Sequence, residues 1–167
     1  MTRNAQEYID RIINKEKQLV LNLKDQRLMG EMNLGDFTNL ISIKADGNEF
    51  INLDWLFTLP ESSQKKLKWL NIWGNKIENV DFSRLLNGFP NLESINLENN
   101  PLNGNNFESL NNQQFSQLVE LVETKKLKIN SWKGSFLLDL LKYTKRLKEE
   151  NAQLKQQTQA QIQILPK

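Results

Sequence analysis

Residues 67–77 read LKWLNIWGNKI, and residues 92–102 repeat the same pattern as LESINLENNPL. A third copy at 40–50 reads LISIKADGNEF, with alanine and phenylalanine at two of the apolar positions. All three fit L-x-x-L-x-L-x-x-N-x-L. A weaker copy at 18–28, QLVLNLKDQRL, has glutamine at the first position and at the asparagine position. The copies begin at residues 18, 40, 67 and 92, so one structural unit recurs at a nearly constant period.

The repeated pattern has a physical reason at each fixed position. Apolar residues such as Leu70 and Ile72 point inward from a short strand, which buries nothing until copies stack into a parallel sheet. Asn48, Asn75 and Asn100 follow their strands at one offset. A side-chain amide both donates and accepts, so it can pair backbone groups that a turn leaves buried. The pattern therefore predicts stacked parallel strands with a structural asparagine in each turn.

These copies resemble the short intracellular class of leucine-rich repeats, such as phosphatase-regulatory and spliceosomal members, over about half of the chain. The resemblance implies an α/β fold, a short curved solenoid of four or five parallel strands with helical caps. It also implies protein or peptide binding on the concave strand face, without catalytic residues, cofactor or metal. We expect an N-terminal capping helix at 1–17, the solenoid at 18–134 and a C-terminal helix at 135–167.

Both ends of the repeat region carry helical patterns. Residues 4–17 read NAQEYIDRIINKEK, and Asn4 with Glu7 makes a start that resembles a capping box. We interpret this segment as a cap in preference to a partner-binding helix, because an open solenoid exposes its core at its ends. Residues 112–126 predict another helix, and residues 126–132 (KLKINSW) predict a fifth, degenerate strand.

The C-terminal helix carries a short heptad pattern. Leu140, Leu147 and Leu154 lie seven residues apart, and Asn151 occupies the companion position. A buried asparagine there sets the register of parallel dimeric zippers, so the pattern predicts a homodimer through residues 137–161. The alternative is a capping helix that continues into a glutamine-rich, solvated tail.

The strand positions between the core residues are expected to face the concave surface. Trp69 and Trp73 stand out there, because tryptophan is large and is enriched at interface hot spots. We predict that they anchor a partner; the alternative is that they stack on each other and on neighbouring strands. The predicted partner-binding residues are Lys44, Asp46, Trp69, Asn71, Trp73, Asn96 and Glu98. Trp55 and Trp132 are expected to pack in the core or in a cap.

Composition excludes several classes of function. The chain has neither cysteine nor histidine, which removes disulfides, thiolate zinc sites and the usual proton-transfer side chain. A net charge of +2 over 167 residues argues against nucleic acid as a partner. No apolar run reaches the roughly 20 residues of a membrane span, and no signal peptide is visible. The sequence therefore predicts a cytoplasmic protein without a membrane partner.

Three classes of function stay open at this point. The preferred one is a non-enzymatic interaction scaffold, and the second is the ligand-sensing segment of a larger receptor or kinase. An enzyme is the least favoured, because no phosphate-binding loop or nucleophile elbow occurs. Catalysis would have to rest on carboxylates such as Asp46, Glu93 and Glu98, and charges of this kind are common on repeat surfaces.

Overall fold

The computed structural model of the chain describes residues 1–102, 112–124, 127–128 and 136–163. It has mixed α/β architecture. The strands are β1 (Arg3–Asn4), β2 (Val20–Asn22), β3 (Leu28–Met29), β4 (Ser42–Lys44), β5 (Trp69–Asn71), β6 (Ser94–Asn96) and β7 (Leu127–Lys128). The α-helices are α1 (Ala5–Asp10), α2 (Glu61–Gln64), α3 (Phe82–Gly88), α4 (Asn112–Glu123) and α5 (Phe136–Gln163). Short 3-10 helices cover Lys15–Lys17 and Asp54–Thr58.

The strands form two parallel sheets. Strands β1 and β3 pair in a small sheet, and the larger sheet has the order β2-β4-β5-β6-β7. Its register matches the register of the sequence copies, because Ile43 pairs with Leu70, Leu70 with Ile95, and Ile95 with Leu127. The expected parallel arrangement of four or five strands is confirmed. The degenerate fifth strand also forms, as β7, although Ile129 lies outside the described residues.

The core lies between the larger sheet and the segments that return from each strand. Phe50 and Ile77, two positions after their turn asparagines, are 1% and 0% exposed. Trp55 is also buried and lies 5.2 Å from Phe50 between ring centroids. Its predicted core packing is therefore confirmed, whereas Trp132 lies outside the described residues.

Three buried asparagines join each copy to the one before it. The Oδ1 atom of Asn75 accepts from the backbone N–H of Phe50 at 3.1 Å, and its Nδ2 donates to the carbonyls of Ala45 and Ile72 at 2.9 and 3.1 Å. Asn48 makes the equivalent bonds to the copy before it, and so does Asn100. These amides satisfy backbone groups that would otherwise be buried without a partner, which costs about 1–3 kcal/mol each.

The N-terminal end differs from the helix expected over 4–17. The Oδ1 atom of Asn4 caps α1 by accepting from Glu7 N–H at 3.0 Å, as the capping-box pattern indicates. The α-helix nevertheless ends at Asp10, and the left-handed φ of 52° at Asn14 prevents any helix from running through to residue 17. The correction includes β1, since Arg3 pairs with Leu28 in a strand that the sequence did not reveal.

The C-terminal helices are confirmed in position. In α4 Leu118 is fully buried, and α5 has 28 residues, a length of about 42 Å. Tyr143 and Leu147 of α5 are half-buried and pack against the core, whereas every residue from 149 to 159 is exposed. The three expected segments thus share contacts, since β1 pairs with β3 and α5 lies against the common core.

Candidate functional site

The larger sheet presents one side-chain face away from the core, called here the open sheet face. Strand alternation puts the residues between the buried positions on this face. The open sheet face comprises Val20, Asn22, Lys24, Ser42, Lys44, Asp46, Trp69, Asn71, Trp73, Ser94, Asn96 and Glu98. The parallel register sets these residues in rows across the strands, about 4.8 Å apart. All predicted partner-binding residues belong to this set.

The two tryptophans of this face are exposed and separate. Trp69 and Trp73 are 44% and 39% exposed; Trp69 begins β5, and Trp73 lies in the turn that follows the strand. The described residues include no ring contact between the two indoles. Trp69 is flanked in its row by Ser42 and Ser94, whose small side chains leave its ring uncovered. The Lys68 Nζ atom is its cationic neighbour, 5.8 Å from the ring.

Three asparagines of the face are held by their own backbone. Each is the last residue of its strand, and its Oδ1 accepts from the N–H two residues later, at 3.2 Å for Asn22, 3.2 Å for Asn71 and 3.1 Å for Asn96. This local bond is the usual asparagine turn at a strand end. Within the described part of the chain the Nδ2 atoms of these asparagines have no acceptor, so each presents free N–H groups.

Asp46 does not form the exposed charged rim that the sequence suggested. It is only 5% exposed, and its carboxylate forms an ion pair with Lys24 Nζ at 3.2 Å. The hydrogen bond to Asp46, with the charges of Asp46 and Asp25, raises the pKa of Lys24 above its ordinary 10.5. Asp46 is buried because it lies between the side chains of Lys24 and Trp73 in its row across the strands.

Two charges of the face are left unpaired. Lys44 is exposed and Glu98 is half-buried, and neither makes an ion pair with any described residue. Glu93, which lies beside the face, forms an ion pair with Lys68 at 2.8 Å. Of the three carboxylates on which an enzymatic mechanism would depend, Asp46 and Glu93 thus have cationic partners, and Glu98 has none among the described residues.

Outside this face, one cleft has an apolar floor. It encloses about 160 Å³ beside α3 and α4, and its lining includes Leu86, Phe89, Leu92 and Leu121. Pockets for small molecules usually enclose about 300–1,000 Å³, so this cleft is small for such a ligand. Among the described residues no group of three or more acidic side chains could hold a metal ion.

The dimerisation residues fall in α5. Leu147 is half-buried against the core of its own chain, whereas Leu154 is 59% exposed and Asn151 is exposed. The side chain of Leu140 lies outside the described residues. The predicted zipper seam is therefore free in its second half and engaged at Leu147.

Comparisons with protein-family models, with curated proteins and with solved structures returned no match for this chain. The part of the chain that the structure describes contains no helix long and apolar enough to cross a membrane.

Proposed function

We propose that the protein is a non-enzymatic interaction scaffold that binds a protein or peptide on the open sheet face. The observation that carries this proposal is the pair Trp69 and Trp73, two large apolar side chains left exposed on the open sheet face, one at the start of the central strand β5 and one in the turn after it. Buried aromatic anchors supply much of the energy of protein interfaces, and exposing such rings to water is unfavourable without a partner.

The proposal includes the fold family. A short leucine-rich-repeat solenoid of the intracellular type accounts for the equal register of the copies and for the equivalent bonds of Asn48, Asn75 and Asn100. In such a solenoid the open sheet face is the concave face. A cytoplasmic location belongs to the same proposal and is supported by the absence of cysteine.

Two further roles remain subordinate. Self-association through α5 is supported by the exposed stretch from 149 to 159 and by Leu154. The alternative that the chain is the ligand-sensing segment of a larger receptor or kinase uses the same open sheet face. In that alternative, binding at the face would signal to the rest of the receptor or kinase.

The double substitution Trp69→Ala and Trp73→Ala tests the proposal. The full chain, immobilised, is exposed to cell extract, and the bound proteins are compared by mass spectrometry between wild type and variant. We expect the specifically retained partner to be lost while the fold persists, because exposed positions tolerate truncation at about 1 kcal/mol or less. Urea unfolding checks the fold.

The matched control removes apolar side chains of similar exposure elsewhere. Met29 and Ile51 are 47% and 67% exposed and lie outside the open sheet face, so Met29→Ala with Ile51→Ala should retain the partner. If the tryptophan variant retains the same proteins as wild type, the proposed function is wrong.

A further inference from the structure

We propose that the open sheet face binds an extended peptide segment with an acidic side chain at its third position and apolar side chains at its first and fifth positions. This inference rests on the proposed function and deepens it, because it specifies what the partner presents. It is carried by three features of the face: a row of hydrogen-bond donors, the fixed orientation of two of them, and the spacing of the indoles around them.

The donor row crosses the centre of the sheet. Lys44 on β4 pairs in register with Asn71 on β5, and Asn71 with Asn96 on β6, so three neighbouring strands place their side chains in one line. Nothing in this row accepts a hydrogen bond freely, since the Oδ1 atoms of the two asparagines are already occupied.

A ligand for this row must supply acceptors. Lys44 carries a positive charge without an ion-pair partner among the described residues, and the amide nitrogens of Asn71 and Asn96 have no acceptor there. A carboxylate offers two oxygens with about four acceptor positions and meets a cation as well as a neutral donor. An acidic side chain is therefore the complementary group, whereas a lysine or arginine of a partner would be repelled.

The local bonds of the asparagines prepare the row for binding. Because Oδ1 of Asn71 is held by the N–H of Trp73 at 3.2 Å, the amide group has lost its freedom to rotate before any ligand arrives. Asn96 is held in the same way by Glu98 N–H. Ordered donors lower the entropy that binding costs, so modest contacts suffice for a weak but specific complex.

The indoles set the spacing. Trp69 and Asn71 are the first and last residues of β5, about 6.7 Å apart as alternate residues of a strand. Trp73 follows two residues later, in the turn, where its carbonyl accepts from the Gly47 N–H of the neighbouring copy. An extended peptide repeats its side chains with the same period on one face. An acid over Asn71 therefore places the residues two before and two after it over the indoles, where apolar side chains are favoured. Glu98, beside Trp73 in its row, disfavours a second acid at that end.

Nucleic acid is the less suitable occupant of the same face. Of the charges described on the open sheet face, only Lys44 is an unpaired cation, and Glu98 opposes it. Phosphate backbones require several cations in line. This occupant becomes an outcome of the test, since a twelve-nucleotide single-stranded DNA is included as a probe and should not bind.

The first experiment is a selection of random twelve-residue peptides, displayed on phage, against the full-length protein. We expect enrichment of sequences in which an aspartate or glutamate has apolar residues two positions before and two positions after it. Selected sequences without that acid, a failure to enrich any peptide, or binding of the DNA probe would overturn the inference.

The second experiment measures affinities of one selected peptide by fluorescence anisotropy. The substitution Asn71→Asp keeps an oxygen for the Trp73 N–H but replaces the donor by a negative charge. We expect binding of the acidic peptide to weaken by about tenfold or more. The same peptide with glutamine at its acidic position should lose less on this variant.

The matched control is Asn33→Asp, which introduces the same charge and preserves the same local bond, to Gly35 N–H, at an exposed residue outside the open sheet face. It should change affinity by less than about threefold, since exposed charges are screened over roughly 10 Å. Equal losses of affinity from both substitutions would show that the peptide's acidic side chain does not bind at Asn71.

The two proposals fail in different ways. If the selected peptide binds the variant with Trp69→Ala and Trp73→Ala as tightly as wild type, the proposed face is wrong. If that variant loses the peptide but Asn71→Asp does not, the face stands and the acidic specificity is wrong.

Discussion

Asn71 and Asn75 lie four residues apart and have different roles. The Asn75 side chain is 5% exposed and joins two copies through its bonds to Phe50 N–H and Ala45 O. The Asn71 side chain is half-buried and, among the described residues, bonds only to the Trp73 N–H. The first asparagine therefore contributes mainly to stability, and the second is available to a ligand.

Replacement of these two asparagines should separate the roles. Asn75→Ala leaves the Phe50 N–H and the Ala45 and Ile72 carbonyls without their partner, so we expect a loss of about 3 kcal/mol in the free energy of unfolding. Asn71→Ala loses one local bond at a solvated site, and its cost should stay below about 1 kcal/mol. Urea unfolding of both variants gives the comparison, and similar losses would contradict the assignment.

The ion pair of Lys24 with Asp46 gives a pH-dependent prediction. The pKa of Lys24 is raised in the folded state, mainly by its hydrogen bond to Asp46. Its contribution is therefore complete below the ordinary pKa of 10.5 and is lost as the pH rises through the higher folded value. We expect Lys24→Met to lower the urea midpoint at pH 7, and the difference from wild type to narrow above pH 10.5.

Lys44→Met is the control for this experiment, because Lys44 lies on the same face without an ion pair to any described residue. Its urea midpoint should differ little from wild type at either pH. A difference between Lys24→Met and wild type that stays constant across the alkaline range would show that the lysine charge has no part in stability.

At the scale of elements, α1 shows the limit of a periodic pattern. Tyr8, Ile9, Ile12 and Ile13 have helical spacing, yet Ile13 is 77% exposed because the helix has already ended. Two successive β-branched residues followed by an asparagine favour termination, and Asn14 adopts the left-handed conformation. The periodic spacing of apolar residues therefore predicted the buried face of this helix better than it predicted where the helix ends.

Helix α5 supports a test of self-association. Removal of residues 149–167 deletes the exposed stretch and retains Tyr143 and Leu147, which pack on the core. We expect the free energy of unfolding per chain to change by less than about 0.5 kcal/mol, because the residues described there are exposed. On the dimer hypothesis, light scattering gives twice the 19.6 kDa of the chain for the full protein and a single chain for the truncation.

A second variant isolates the seam. Leu154→Ser changes the exposed leucine of the heptad and leaves the packed Leu147 in place. It should shift the full chain towards the monomer in the same measurement. A full-length protein that scatters as a monomer at every concentration would contradict dimerisation.

At the scale of the whole molecule, the sequence predicted the larger sheet well. One apolar row recurs in every copy, so the pairing of Ile43, Leu70 and Ile95 followed from alignment of the copies alone. The same alignment placed Trp69 and Trp73 on the face away from the core. Repetition supplies both results, because each position is observed several times within one chain.

Other features could not be read from the sequence. The pairing of β1 with β3 involves two residues on each side, too few to produce a periodic signal. The burial of Asp46 depends on its neighbours Lys24 and Trp73, which alternation along one strand does not specify. Likewise, the packing of Leu147 on the core depends on how α5 meets the rest of the molecule.

Each of the three buried asparagines bonds to backbone groups of the copy that precedes it in the chain, and this order has a consequence during synthesis. Asn75 pairs groups of the preceding copy, at Phe50 and Ala45, and Asn100 does the same for Ile77 and Ile72. A nascent chain that has released only the earlier copy still lacks the amide that completes it. Translation adds about 5–20 residues per second, so the wait for the next copy is on the order of seconds. Each of the first three copies thus emerges from the ribosome incomplete and is closed by the one that follows.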